Sequence, residues 1–211
     1  MEAKFITFEG LDGSGKSTHL ASAASWIESV GVPCLATKEP GGTPLGDALR
    51  SVFLDPLWGA LDGTVESLVI FASRRQHLLE VIEPALAAGS HVLCDRFTDS
   101  TLAYQGHGRG VSLDLIRRID AIATAGRVPD HTLLFDLPAE EAHRRGQSTA
   151  REVVDRLDAE DLAFYRRVRE GYSELVGANP ARFKTVDSSG PTELTERRVR
   201  QALTELLELP A

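Results

Sequence analysis

The sequence predicts an α/β fold, a five-stranded parallel sheet with helices on both faces. Two observations carry the prediction. Short apolar runs alternate with helical patterns along the chain, the arrangement that builds a parallel sheet covered by helices. The first run also passes directly into a glycine-rich loop and then a helix, KFITFEGLDGSGKSTHL. At 211 residues there is room for one such domain and its core, and too little for two.

Lys4–Glu9 is rich in apolar and β-branched residues and reads as a buried parallel strand. It leads into Gly10-Leu11-Asp12-Gly13-Ser14-Gly15-Lys16-Ser17, which fits G-x-x-x-x-G-K-[ST] at every position. Glycines there let successive backbone N–H groups turn inward on an anion, and the helix Lys16–Val30, with Thr18 in its first turn, adds unpaired donors and a positive dipole end. Lys16 is then placed to reach the β- and γ-phosphates of a nucleotide, and the Ser17 hydroxyl to sit on Mg²⁺. With this loop, the fold becomes a three-layer fold of P-loop NTPase type.

The next strand, Pro33–Lys38, runs into Lys38-Glu39-Pro40-Gly41-Gly42-Thr43. This is a rigid turn whose Thr43 can cap the helix Leu45–Phe53, with Arg50 on the same side as Thr43. A single long helix is expected over Thr64–Ala88. The strand His91–Asp95 ends in Asp95-Arg96, a carboxylate suited to Mg²⁺ beside an arginine suited to clamping phosphate. A helix over Asp99–Tyr104 opens a stretch with three glycines in five residues, Gly106 to Gly110, which predicts a tightly bending chain. Ser100, Thr101, Tyr104 and Gln105 bring donors and acceptors suited to a flat polar base and a sugar edge. Helix Ser112–Ala125, strand His131–Leu137, helices Ala139–Arg145 and Ala159–Ala178, strand Phe183–Asp187 and helix Pro191–Leu209 complete the pattern. One domain over residues 1–211 is expected. Its most mobile part is the polar stretch Gly146–Val154, within a lid at about 143–155.

Three polar strand ends, at Glu9, Lys38-Glu39 and Asp95-Arg96, should converge on the carboxyl edge of the sheet, where such folds bind ligands. The net charge of −8 argues against a general nucleic-acid or membrane-surface binder. Cys34 and Cys94 lie in strand-like runs and read as small core residues, and no metal-ligand spacing of Cys or His appears. No apolar stretch approaches ~18 residues, and the N-terminal run passes straight into the loop, so a cytoplasmic enzyme is expected. The six histidines are scattered and read as packing or surface residues.

EGLDGSGKST, KEPGGT, CDRF, STLAYQGHGRG and VVDRLD, in that order and spacing, closely resemble the thymidylate kinase family from about Phe5 to beyond Asp158. The resemblance implies transfer of the γ-phosphoryl group of ATP to thymidine monophosphate (dTMP), with Mg²⁺, in a homodimer. It implies that Gly10–Thr18 holds ATP, with Ser17 and Asp95 around the metal. Asp12 would engage the acceptor sugar and the metal's water shell. Arg50 and Arg96 would hold the acceptor phosphate, with Glu39 and Pro40 beside them. Arg74 would contact the base, Ser100, Thr101 and Gln105 would line base and deoxyribose, and Tyr104 would press on the sugar edge. Some members carry an arginine inside the phosphate loop, where this chain has Gly13. Others supply lid arginines, and this chain resembles the second kind, with Arg144, Arg145 and Arg151, the last as the catalytic lid arginine beside Lys16, Asp12 and Arg96. The family's usual aromatic residue four before the base-contacting arginine is here Ile70, followed by Phe71. Either Phe71 stacks on the base in a shifted register, with Arg75 as the contact, or an aliphatic contact replaces stacking. Rival readings are a nucleoside kinase, which would need a base such as Glu39, and a switch-type GTPase, for which no N-K-x-D run is present.

Overall fold

The computed structural model describes residues 2–148 and 156–209. Its five strands are β1 (Phe5–Gly10), β2 (Cys34–Lys38), β3 (His91–Asp95), β4 (His131–Asp136) and β5 (Phe183–Asp187). All pairs are parallel, and the order across the sheet is β2-β3-β1-β4-β5. Every strand expected from the sequence is present, with ends shifted by at most one residue.

The central strand β1 is buried throughout, and its side chains alternate between two cores. Ile6 and Phe8 pack with Leu93, Leu133 and Phe135 beneath α1 (Lys16–Ser29) and α9 (Thr192–Leu207). Phe5 faces the other way, with Leu78, Ile82, Val92 and Phe97. By the same alternation Thr7 and Glu9 point to this second face, where Thr7 Oγ1 meets Thr132 Oγ1 at 2.9 Å. Because β3 lies between β1 and β2, Asp95 is opposite both Phe8 and Lys38. That register gathers three strand ends at one carboxyl edge. Cys34 and Cys94 are buried free thiols.

Helix α2 (Pro44–Leu54) starts where predicted, because Thr43 Oγ1 accepts from Gly46 N at 2.9 Å and Pro44 occupies the first turn. The single helix expected over Thr64–Ala88 is interrupted. α3 (Gly63–His77) gives way to a π-helical turn, Leu78–Ile82, before α4 (Glu83–Ala87). Pro84 explains the change, since it has no N–H for the carbonyl four residues back and its ring crowds that carbonyl.

The tight bend predicted over Gly106–Gly110 comes only at its end, where Gly110 takes φ +78° after the helical stretch has stopped. α5 (Thr98–Thr101) continues as a π-helical stretch, Leu102–Gly108, in which Arg109 N bonds to Tyr104 O at 2.9 Å. Its glycines serve packing. A Cβ on Gly106 would stand 2.4 Å from Leu113 Cδ2, and one on Gly108 would stand 2.6 Å from Phe164 Cε2. α6 (Leu113–Thr124), α7 (Ala139–Ser148) and α8 (Leu162–Ala178) complete the second face. Among the described residues no helix is long and apolar enough to cross a membrane.

Candidate active site

The glycine-rich loop runs from the end of β1 to the start of α1. Gly10 has φ +138°, and a Cβ there would lie 2.5 Å from the Phe135 carbonyl oxygen, so only glycine lets β1 leave the sheet this close to β4. Gly13 is held as tightly, at φ +83° with the Ala142 carbonyl of α7 only 2.7 Å from the place of a Cβ. Gly15 precedes α1, and no side chain caps that helix, so its first N–H groups remain for an anion. Lys16 folds back over the loop, its Nζ donating to Leu11 O at 2.8 Å. Burial, and then the neighbouring Arg96, brings its ammonium pKa down to about 8.

Ser17 Oγ hydrogen-bonds Asp95 Oδ2 across the gap between α1 and β3. The other oxygen, Asp95 Oδ1, is buried and has no partner among the described residues. A hydroxyl and a carboxylate with one uncommitted oxygen, beside a phosphate loop, form a hard-oxygen donor set that suits a divalent cation such as Mg²⁺. A second cluster, Glu39, His77 and Cys94, also lies within metal-ligand reach. Its donors are already committed: Glu39 to Arg74 and His77, and His77 to Thr37. Burial raises the Cys94 thiol pKa well above its ordinary value.

Arg96 follows β3 in the left-handed region, φ 74°, a strained conformation for arginine that turns its side chain across the loop. The guanidinium contacts Asp12 Oδ1 at 2.7 Å, Ser100 Oγ at 3.0 Å and Tyr104 Oη at 3.1 Å. Tyr104 in turn donates to Asp12 Oδ2 at 2.9 Å. Burial pushes the Asp12 carboxyl up, but Arg96, Lys16 and the Tyr104 hydroxyl outweigh it and hold it well below the usual carboxylate range. Beneath Arg96 lies fully buried Glu9, which accepts from Phe97 N at 2.7 Å, from Tyr172 Oη at 3.0 Å and from Ser100 Oγ. Burial, with Asp99 next, lifts its carboxyl to about 7.

A second arginine assembly stands across the cavity. Arg74 is 1% exposed, with Nε on Glu39 Oε2 at 2.6 Å and Nη2 on Thr101 Oγ1 at 3.2 Å. Its guanidinium sits between the rings of Phe71 and Phe97, 4.7 and 4.8 Å from their centroids. His77 Nδ1 holds the other Glu39 oxygen at 3.0 Å, and His77 Nε2 meets Thr37 Oγ1 at 2.7 Å. Arg50 from α2 donates to Pro40 O at 3.0 Å.

These groups surround a cavity of about 840 Å³. Asp12, Lys16, Ser17, Asp95 and Arg96 line one side of it, and Glu39, Pro40, Arg50 and Arg74 line another, with Ser100, Thr101, Tyr104 and Gln105 between. Of the remaining loop residues, Leu11 and Ser14 are buried, while Gly15 and Thr18 are exposed on the way into α1. Phe71 is not brought to the cavity. It packs with Leu102, Ile116 and Ala123 behind Arg74, while Ile70 and Phe97 form the wall. Arg75 turns away to the Ala123 carbonyl of α6. Arg144 and Arg145 lie on α7 and pair with Glu141 at 2.7 and 2.8 Å. Arg151 and Asp155 lie outside the described residues, as do residues 149–155 of the expected lid.

Sequence reasoning placed Glu9 at the converging strand ends but missed the rest of the supporting layer, Glu66, His77, Phe97 and Tyr172. Glu9 was legible as the one acidic residue in an otherwise apolar strand, whereas the others carry no local signal.

The family described as thymidylate kinase matches residues 8–199 of this chain. A thymidylate kinase from Pelotomaculum thermopropionicum is 44% identical over 208 residues, covering 99% of this chain and 96% of that protein. One from Desulfovibrio desulfuricans is 45% identical over 204 residues, with 94% of each covered. One from Bacillus licheniformis is 42% identical, with 99% of this chain and 98% of that protein covered.

Proposed function

The chain belongs to the thymidylate kinase family, and on that premise we propose how its cavity carries out the phosphorylation of dTMP. ATP is the donor, its phosphates held by Gly10–Ser17 and Lys16 and its first helical contact at Thr18. Ser17 and Asp95 hold Mg²⁺, which when bound neutralises charge on the donor phosphates. The observation that carries the reading is the meeting, in one cavity, of the phosphate loop and two arginine assemblies facing it from β3 and from α2–α3.

Arg96 and Arg50 take the dTMP phosphate. A monophosphate oxygen is already anionic at neutral pH, so it attacks the γ-phosphorus in line without a general base, and catalysis is positioning and charge neutralisation. Asp12, held ionised by Arg96 and Lys16, orients Arg96 and meets the acceptor sugar. Tyr104 presses on the sugar edge, so Tyr104→Ala should relax discrimination against a 2′-hydroxyl. Arg74 meets the base, and Ile70 takes the place of an aromatic stack. Residues of the lid at about 143–155 close over the phosphates, with Arg151 on the transferring group. Arg151→Ala should then lower kcat by ~100-fold or more, whereas a change confined to KM would shift the role to Arg144 or Arg145.

The enzyme works as a cytoplasmic homodimer on this reading. Exposed Val65 and Leu68 on α3 and Ile122 on neighbouring α6 support an apolar contact face.

The test is ADP formation from Mg-ATP across a panel of nucleoside monophosphates with a no-acceptor control. Strong dependence on dTMP supports the assignment. Turnover indifferent to every acceptor overturns it.

A further inference from the structure

Glu66 on α3 is fully buried and forms no part of the cavity lining, yet three side chains converge on its carboxylate. Gln105 Nε2 donates to it at 2.9 Å, Arg109 Nε lies 3.2 Å away, and Arg156 Nη1 donates at 2.6 Å. A carboxylate has no proton to give, so the end of the Gln105 amide that meets it must be the NH₂. The other end, Oε1, takes no donor from the described residues, and Gln105 lines the cavity together with Thr101 and Tyr104.

We propose that Glu66 is a positioning residue for base selection: by fixing the Gln105 amide it presents a hydrogen-bond acceptor to the base and so selects a ring N–H over a bare ring nitrogen. The proposal rests on the reading of this cavity as the dTMP site. Thymine and uracil carry such a ring N–H, and cytosine has an unprotonated nitrogen in its place. The two guanidiniums make the arrangement one-way. If residue 66 were a neutral amide, Arg109 and Arg156 would claim its oxygen, and its NH₂ would be left to face Gln105. Gln105 would then turn over, presenting a donor to the cavity.

The experiment measures kcat/KM for dTMP, dUMP and dCMP in the unsubstituted enzyme, Glu66→Gln and Glu66→Asp. The unsubstituted enzyme should prefer dTMP and dUMP to dCMP. In Glu66→Gln the dTMP:dCMP preference should fall by ~10-fold or more, because a site built around one hydrogen bond discriminates through it. The dTMP:dUMP preference depends on a methyl group remote from Gln105 and should move by less than ~3-fold. Should Glu66→Gln fail to fold, Glu66→Asp keeps the negative charge but draws the carboxylate back by one methylene, which releases the Gln105 amide, and the same fall is expected. An unchanged dTMP:dCMP ratio, with all three substrates losing activity together, would reduce Glu66 to a structural role and overturn the proposal. An unsubstituted enzyme inactive on dTMP but active on another acceptor would instead overturn the site assignment beneath it.

Discussion

The two sides of the cavity are built from different material. The proposed donor side comes from consecutive backbone, Gly10 to Ser17, shaped by glycines at positive φ and completed by the first turn of α1. The proposed acceptor contacts come from side chains on separate elements: Glu39 after β2, Arg50 on α2, Arg74 on α3, Gln105 in the π-helical stretch and, reaching in from beside the loop, Arg96 after β3. A side chain removed from the donor side leaves the glycine turns that shape it in place. In the acceptor side Arg74 also holds the buried Glu39 carboxylate in place, so there binding and stability share the same contacts.

Lys16→Ala should therefore produce the largest loss of turnover, ~10³-fold or more, while the melting temperature stays near that of the unsubstituted protein. Near-normal rates would remove Lys16 from the chemistry, and a collapse of stability would erase the contrast between the two sides.

That contrast also explains what could be read from sequence. A loop made of adjacent residues is a string, and GLDGSGKS contains its own geometry. The sheet was legible for the same reason, since each strand announces itself within a few residues. Arg74 and Glu39 are 35 positions apart, and only the sheet order and α3 packing bring them to 2.6 Å. Resemblance to a family could name them, while local pattern could not. Phe71 shows the limit. An aromatic next to the expected position looked like a stacking residue, yet helical phase turns it behind Arg74 and leaves Ile70 facing the cavity. The π-helical stretch through Tyr104 was hidden because glycine used for close packing and glycine used for bending look identical in a sequence.

Arg74→Ala sharpens the comparison from the other side. It leaves the buried Glu39 carboxylate without its cation, and denaturant unfolding should show a loss of about 3–5 kcal/mol together with the loss of activity. A fully stable, inactive variant would mean that the acceptor side is as separable as the loop.

Tyr104→Phe is a smaller perturbation. It removes the hydroxyl shared by Asp12 and Arg96, worth about 1 kcal/mol, and acceptor kcat/KM should fall by less than ~10-fold because Ser100 and Gly10 O still hold Arg96. A 100-fold loss would mark the hydroxyl as a direct participant.

A further effect concerns pH. Glu9 is raised from 4.5 to about 7 in the folded protein, so the folded state keeps a proton that the unfolded chain gives up. Its contribution to stability is fully present below pH 4.5 and is lost as pH rises toward 7. Asp12 has the opposite sign, its contribution lost only as pH falls below its ordinary value of 3.8. Unfolding free energies measured between pH 4.5 and 7 should decline less steeply in Glu9→Gln, and an identical slope would place the titration elsewhere.

The tight seat of Gly13 bears on the paths open to this chain over evolutionary time. Relatives that place an arginine in the phosphate loop, rather than in a lid, have a side chain where this chain has none. Here the Ala142 carbonyl stands 2.7 Å from the place of the first carbon of any such side chain, and the backbone is already at φ +83°. A lone Gly13→Arg change would drive the loop against α7 before the new guanidinium could reach a phosphate. The two placements of the arginine are separated by a fitness valley. Crossing it requires α7 to retreat first, so a chain with glycine here and α7 this close keeps the loop position shut to a lone arginine.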